Sequence, residues 1–162
     1  MKGLVTWTAL VVFLAVFQSS FLPHLLLSAY KPDLLLLLMV VLALRAPFSA
    51  SLPAAYGLGL LKDCLSGIYL GLNAFSFLVV YLVLKLLSDR LYVQNAFLLV
   101  LTVSVATVAT MFMNLILLAI FSESAGLFAS LMASLIPHLL MNAFAASLVA
   151  TVPEFVRARY SR

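Results

Sequence analysis

The residues of this chain that could do chemistry are few and far apart. They are Lys31 and Asp33 around Pro32, the adjacent pair Lys62 and Asp63, and His138 with Asn142 four residues later. A spacing of four puts His138 and Asn142 on one helical face. They follow Pro137, which lacks a backbone donor and frees the carbonyl of Ala133, so a kink is expected there. Such a face could bind a ligand or relay a proton; its commoner use is a hydrogen bond to a neighbouring helix. Lys62–Asp63 could line an outward-opening cavity, but anchoring or partner docking is the commoner use, since nothing adjacent completes an active site. The same holds for Lys31 and Asp33.

The recognisable catalytic patterns are missing. There is no glycine-rich phosphate loop, His–Glu zinc motif, Gly-x-Ser-x-Gly or pair of carboxylates within one apolar segment. Ser134 with His138 lacks supporting residues for nucleophilic chemistry. The single cysteine, Cys64, excludes an intrachain disulfide and a cysteine-built metal site, and is read as a packing residue. No enzyme activity and no cofactor are expected.

The elements that must position these residues are set by where charge is absent. No Asp, Glu, Lys or Arg occurs between Lys2 and Lys31, Asp63 and Lys85, Arg90 and Glu123, or Glu123 and Glu154. Each gap can hold a helix crossing the roughly 30 Å hydrocarbon core, which takes about 20 apolar residues. The chain is 66% hydrophobic and 9% charged, against about 45–50% and 25% in soluble domains. Its 162 residues are expected to form one all-α polytopic membrane domain, residues 1–162. The net charge of +4 makes no basic stripe with interleaved aromatics, so no nucleic-acid partner is expected.

Six spans are expected. The first, Leu4 to Leu22, resembles a signal peptide but is read as a retained signal anchor. The second, Leu34 to Leu44, starts at the Asp33 cap and covers only about 16 Å. The third starts at a Ser51 N-cap with Pro53 in its first turn and passes Gly57 and Gly59 to Ser66–Gly67; it is also short. Ala55 and Gly59 form a small-xxx-small pair suited to close helix contact. A tight turn over residues 67–71, bounded by Gly67 and Gly71, leads to the fourth span, Leu72 to Leu87. The fifth, Ala96 to Phe121, has a Ser/Thr/Ala-rich half. The sixth, Leu127 to Val152, carries Ala129/Ala133, Ser130/Ser134 and Ala146/Ala150. Gln18, Asn73, Asn114, His138 and Asn142 lie at membrane depth and should face the bundle, since lipid offers no hydrogen-bond partner.

Charge orients the bundle. With cytoplasmic termini, the inside holds Lys2, Arg45, Lys85, Arg90, Arg157, Arg159 and Arg162, and the outside only Lys31 and Lys62. That distribution follows the positive-inside rule; five spans would place the basic C-terminal cluster outside. The Arg157, Arg159, Arg162 tail would anchor to anionic lipid.

Three stretches resemble the bacterial rod shape-determining MreD family. They are Lys31-Pro32-Asp33-Leu34-Leu35, then Gly57-Leu58-Gly59-Leu60-Leu61-Lys62-Asp63-Cys64-Leu65-Ser66-Gly67, and Leu70-Gly71-Leu72-Asn73-Ala74. Chain length and a late Asn142 fit as well, and Lys62 departs from the apolar residue usual before the motif Asp. A local pair with Asp63 or a partner contact would explain it. The resemblance implies a non-catalytic scaffold subunit of the inner-membrane elongation complex, which directs lateral peptidoglycan synthesis. It implies a six-helix bundle resembling the S-component fold of energy-coupling-factor transporters, with short second and third helices. Implied partners are MreC and, through it, RodA and a class-B penicillin-binding transpeptidase, with MreB filaments on the cytoplasmic side and a homodimer as a further arrangement. Pro32, Asp33, Gly57, Gly59, Lys62, Asp63, Gly67, Gly71 and Asn73 become candidates for partner docking or for fixing the fold. Asn114, His138 and Asn142 are the intramembrane polar contacts. The alternative is an S-component-like subunit that binds a small molecule; Ala9 and Ala15 do not match the Ala-x-x-x-Ala spacing of S-component docking helices.

Overall fold

The computed structural model describes residues 11–21, 24, 31–66, 69–88, 96–121 and 125–151. Gly67, the first span before residue 11, Pro23 and the basic C-terminal tail lie outside the described residues, as does the side chain of Ser130. The described residues form six helices and no strand. Helix α1 covers residues 11–21, its last turn, Phe17–Phe21, being π-helical. Helices α2 (Leu34–Arg45), α3 (Phe48–Ser66), α4 (Leu72–Ser88), α5 (Ala96–Phe121) and α6 (Ala125–Thr151) follow.

Helix α2 is apolar all round, the pattern of a helix enclosed by protein. Residues Leu35 through Val40 are all buried, with Met39 and Val40 fully so. It packs against α3, α4, α5 and α6, and is the centre of the bundle. Its start is fixed by Asp33, whose side chain accepts from the Leu36 N–H at 3.1 Å. Its end is fixed by Pro47, which drives the preceding Ala46 into extended backbone (φ −89°, ψ 152°). Lys85 of α4 then donates to the carbonyls of Ala43 at 3.1 Å and Ala46 at 2.8 Å. These are carbonyls that the helix end leaves without intrahelical partners.

Helix α3 starts three residues earlier than the sequence indicates and, at 19 residues or about 28 Å, is not the short helix expected. Ser51 is not its N-cap. The Pro47 carbonyl receives the N–H groups of Ala50 and Ser51 at 3.2 and 3.0 Å, which starts the helix at Phe48 and leaves Pro53 in the second turn. The Ser51 hydroxyl donates back to the same carbonyl at 2.8 Å and pairs with the buried Tyr81 hydroxyl of α4. Contacts of Asp63 with residues 71–74 and of Ser51 with Tyr81 make α3 and α4 an antiparallel hairpin.

Helices α5 and α6 are 26 and 27 residues long, about 39 and 40 Å at 1.5 Å per residue. Segments Phe97–Phe121 and Met132–Thr151 are long and apolar enough to cross a bilayer. Neither is a soluble protein's buried core helix, because their large outward side chains are apolar. On α5 the exposed residues include Phe97, Leu101, Val105, Phe112, Ile116 and Ile120. On α6 they include Met132, Ile136, Leu140, Phe144 and Leu148, one every four residues. Helix α6 runs through Pro137 without interruption. Ala146 and Ala150 pack into the core, whereas Ala129 and Ala133 are exposed.

Candidate functional site: a polar cavity closed by capped helix ends

Asp63, on the last turn of α3, is 1% exposed. Its carboxylate accepts from the backbone N–H groups of Gly71 (2.9 Å), Asn73 (2.9 Å) and Ala74 (3.0 Å), and from Asn73 Nδ2 (2.9 Å). These N–H groups open α4 and have no intrahelical acceptor. A negative charge there also meets the positive end of the helix dipole. Replacing the carboxylate by a methyl group would strand the buried N–H groups of Asn73 and Ala74, each at a cost of about 1–3 kcal/mol.

Gly59 makes this junction tight enough to work. A Cβ at that position would stand 2.5 Å from Ala74 Cα and 2.8 Å from the Asn73 carbonyl oxygen, so α3 passes against the first turn of α4. Gly71 has φ +98°, which side-chain-bearing residues rarely adopt. Gly57 differs: a Cβ there meets nothing within 4 Å.

Asn73 carries the network inward. Its Oδ1 accepts from Asn114 Nδ2 of α5 at 3.3 Å, and Asn114 Oδ1 accepts from the Ser76 hydroxyl. Asn73, Ser76 and Asn114 are all buried.

The start of α2 is enclosed similarly, but by distant segments. Gln18, in the π-helical turn of α1, accepts from the N–H groups of Leu34 and Leu35 at 3.0 and 3.4 Å. Asn142 of α6 accepts from the Asp33 N–H at 2.6 Å and donates to Thr107 of α5 at 3.0 Å. His138, one turn earlier, faces the Lys31 carbonyl through Nδ1 at 3.0 Å. A carbonyl only accepts, so Nδ1 carries the proton and Nε2 is the other valence. Pro32, between Lys31 and Asp33, is half-buried.

Lys62 does not pair with its neighbour Asp63. Adjacent residues on a helix point in different directions, and Lys62 forms its ion pair with Asp33. Its ammonium also stands 5.1 Å from the centroid of the Phe77 ring, a favourable cation–π distance. Burial pushes the Asp33 carboxyl up. The Lys62 charge and hydrogen bond, the Leu36 N–H and a hydrogen bond with Gln18 outweigh it and hold the group below its ordinary value.

Between these two capped helix starts lies a cavity of about 340 Å³. Gln18, Lys31, Asp33, Lys62, Asn73, Asn114, His138 and Asn142 line it, along with Thr107 and Thr110. Leu36, Leu72, Met111 and Leu118 give it an apolar side. Polar residues scattered over five helices therefore converge. Asp63, Gly57 and Gly59 are not on the wall.

Several participants carried weak signals in the sequence. Gln18 is a lone amide in an apolar run, and Thr107 and Thr110 belong to the small polar half of α5. Those threonines also bond back to carbonyls four residues earlier, so nothing local marks Thr107 as an acceptor for Asn142. Among the described residues no three His, Cys, Asp or Glu side chains cluster as a metal site would need.

The described residues form helices and no strand, with two apolar-faced helices long enough to cross a bilayer, the features of a membrane protein. The chain belongs to the MreD family: the family described as rod shape-determining protein MreD matches residues 1–158. Membership implies a role in determining rod shape. No curated protein and no solved structure gives a significant match.

Proposed function

We propose that this protein is a non-catalytic, multi-pass scaffold of the elongation complex in the bacterial inner membrane. In this reading it supports MreC and, through MreC, the RodA glycosyltransferase and its class-B transpeptidase partner in lateral peptidoglycan synthesis. The family carries the reading. The observation that supports a scaffold is the use of the polar side chains: Asp33, Asp63, Asn73, Asn114 and Asn142 are occupied in capping and joining helices. Six crossings with both termini cytoplasmic are supported by the ends of α2. Lys62 and Asp33 sit at one end, Lys85 beside Ala43 and Ala46 at the other, the separation that the positive-inside reading requires.

Co-purification in nanodiscs with MreC from the same organism tests the scaffold. A stoichiometric complex, together with loss of rod shape on depletion, is the expected result. Normal rods after depletion, with no MreC recovered, would sink it. The second reading, a small-molecule-binding subunit resembling S-components, is favoured by one observation, the cavity on which polar side chains of five helices converge. A bound compound in the mass spectrum of protein purified without MreC would favour it.

A further inference from the structure

The donors and acceptors around the cavity are not evenly spent. The Asp33 carboxylate is engaged by Lys62, the Leu36 N–H and Gln18. Asn142 and Asn114 are committed at both ends of their amides. Asp63 is off the wall and holds four N–H donors. What remains on the wall is cationic or hydrogen-bonding. The Lys31 side chain has no partner among the described residues. Lys62 bonds Asp33 through one of its three N–H groups. Among the described residues nothing pairs with His138 Nε2, which can accept from a hydroxyl. Among the described residues no uncommitted carboxylate lines the cavity, and the apolar side of Leu36, Leu72, Met111 and Leu118 completes the wall.

We propose that this cavity binds the anionic group of an amphiphile, a phosphate or carboxylate held by Lys31 and Lys62, with its apolar part against Met111 and Leu118. The volume of about 340 Å³ is at the small end of ligand sites, which run to about 1,000 Å³. It takes a headgroup and the first carbons of a chain, not a whole lipid. A charge-assisted bond to an ammonium is about twice as strong as a neutral one, so the anion dominates selectivity. Such binding goes beyond the scaffold role, which needs no occupant, and it is read on the isolated protein, so its failure is separable from a failure in cell shape.

The test is native mass spectrometry of the protein from phosphatidylcholine nanodiscs doped with phosphatidylglycerol, repeated with soluble glycerol 3-phosphate. Retention of phosphatidylglycerol over phosphatidylcholine is expected. It should fall about fivefold in Lys31→Gln, the effect of one cation near an anionic headgroup, and return in Lys31→Arg. Met111→Trp, which narrows the apolar side and leaves both lysines, should lower it too. Displacement by glycerol 3-phosphate, with the same Lys31 dependence, would identify a soluble phosphate as the source of the same chemistry. Equal retention of the two lipids, or retention unchanged in both Lys31→Gln and Met111→Trp, would overturn the proposal.

Discussion

Two glycines two residues apart on α3 have opposite structural reasons. Gly59 is a point of contact, where an added Cβ would stand 2.5 Å from backbone. Backbone cannot swing aside as the tip of a side chain can, so α3 and α4 would have to separate. Gly57 has open space in place of a neighbour, and there only the cost of glycine within a helix applies, roughly 0.5–1 kcal/mol relative to alanine. Thermal melts in detergent should therefore show Gly57→Ala unchanged or slightly stabilised and Gly59→Ala several degrees lower. Equal melting temperatures would contradict the close approach. Sequence alone marks both glycines and Asp63 as one motif. It cannot separate them, because the difference lies in Ala74 and Asn73, which fold against one glycine and not the other. Lys62 shows the same limit: its partner Asp33 is 29 residues away, and only the packing of α2 on α3 brings them together.

At the scale of the elements, α2 depends on the charge at its start. The folded Asp33 carboxyl lies below its ordinary value of 3.8. Its contribution to stability is therefore complete above that value and is lost as pH falls through the lower folded one. Melts taken from about pH 5 down to about 2 should show this loss in the wild type. In Lys62→Met the main opposing charge is gone and burial raises the carboxyl. That variant should be less stable at neutral pH and lose less on acidification. Parallel pH profiles would refute the pairing. The helix ends themselves were largely legible. Span two was expected to end at Leu44 and ends at Arg45; span four was expected to end at Leu87 and ends at Ser88; span five runs from Ala96 to Phe121 as expected. Charge gaps and prolines mark such limits because they interrupt an apolar helix locally. The start of α3 is not legible, because Ser51 has the chemistry of an N-cap, while the acceptor used is the Pro47 carbonyl, a group that every residue carries.

For the whole molecule, the arrangement proposed in the membrane makes one accessible prediction. The α3–α4 turn, where Leu70 is 80% exposed, should face outward with Lys62 and Lys31. In a Cys64→Ser background, Leu70→Cys should react with a membrane-impermeant maleimide added to intact spheroplasts. Labelling only after lysis would invert the topology.

The two capped helix starts also differ in when they can be completed during synthesis. Asp63 holds residues 8 to 11 positions later in the chain, so the turn of the α3–α4 hairpin can close once Ala74 has left the ribosome. The α2 start waits much longer, because Asn142 lies 109 residues beyond Asp33 and His138 lies 107 beyond Lys31. Until the last helix inserts, the Asp33 N–H and the Lys31 carbonyl lack these partners and the cavity lacks the part of its wall made by His138 and Asn142. The final helix is thus the closing piece of the assembly, and a nascent chain stopped before it would hold a finished hairpin beside an open pocket.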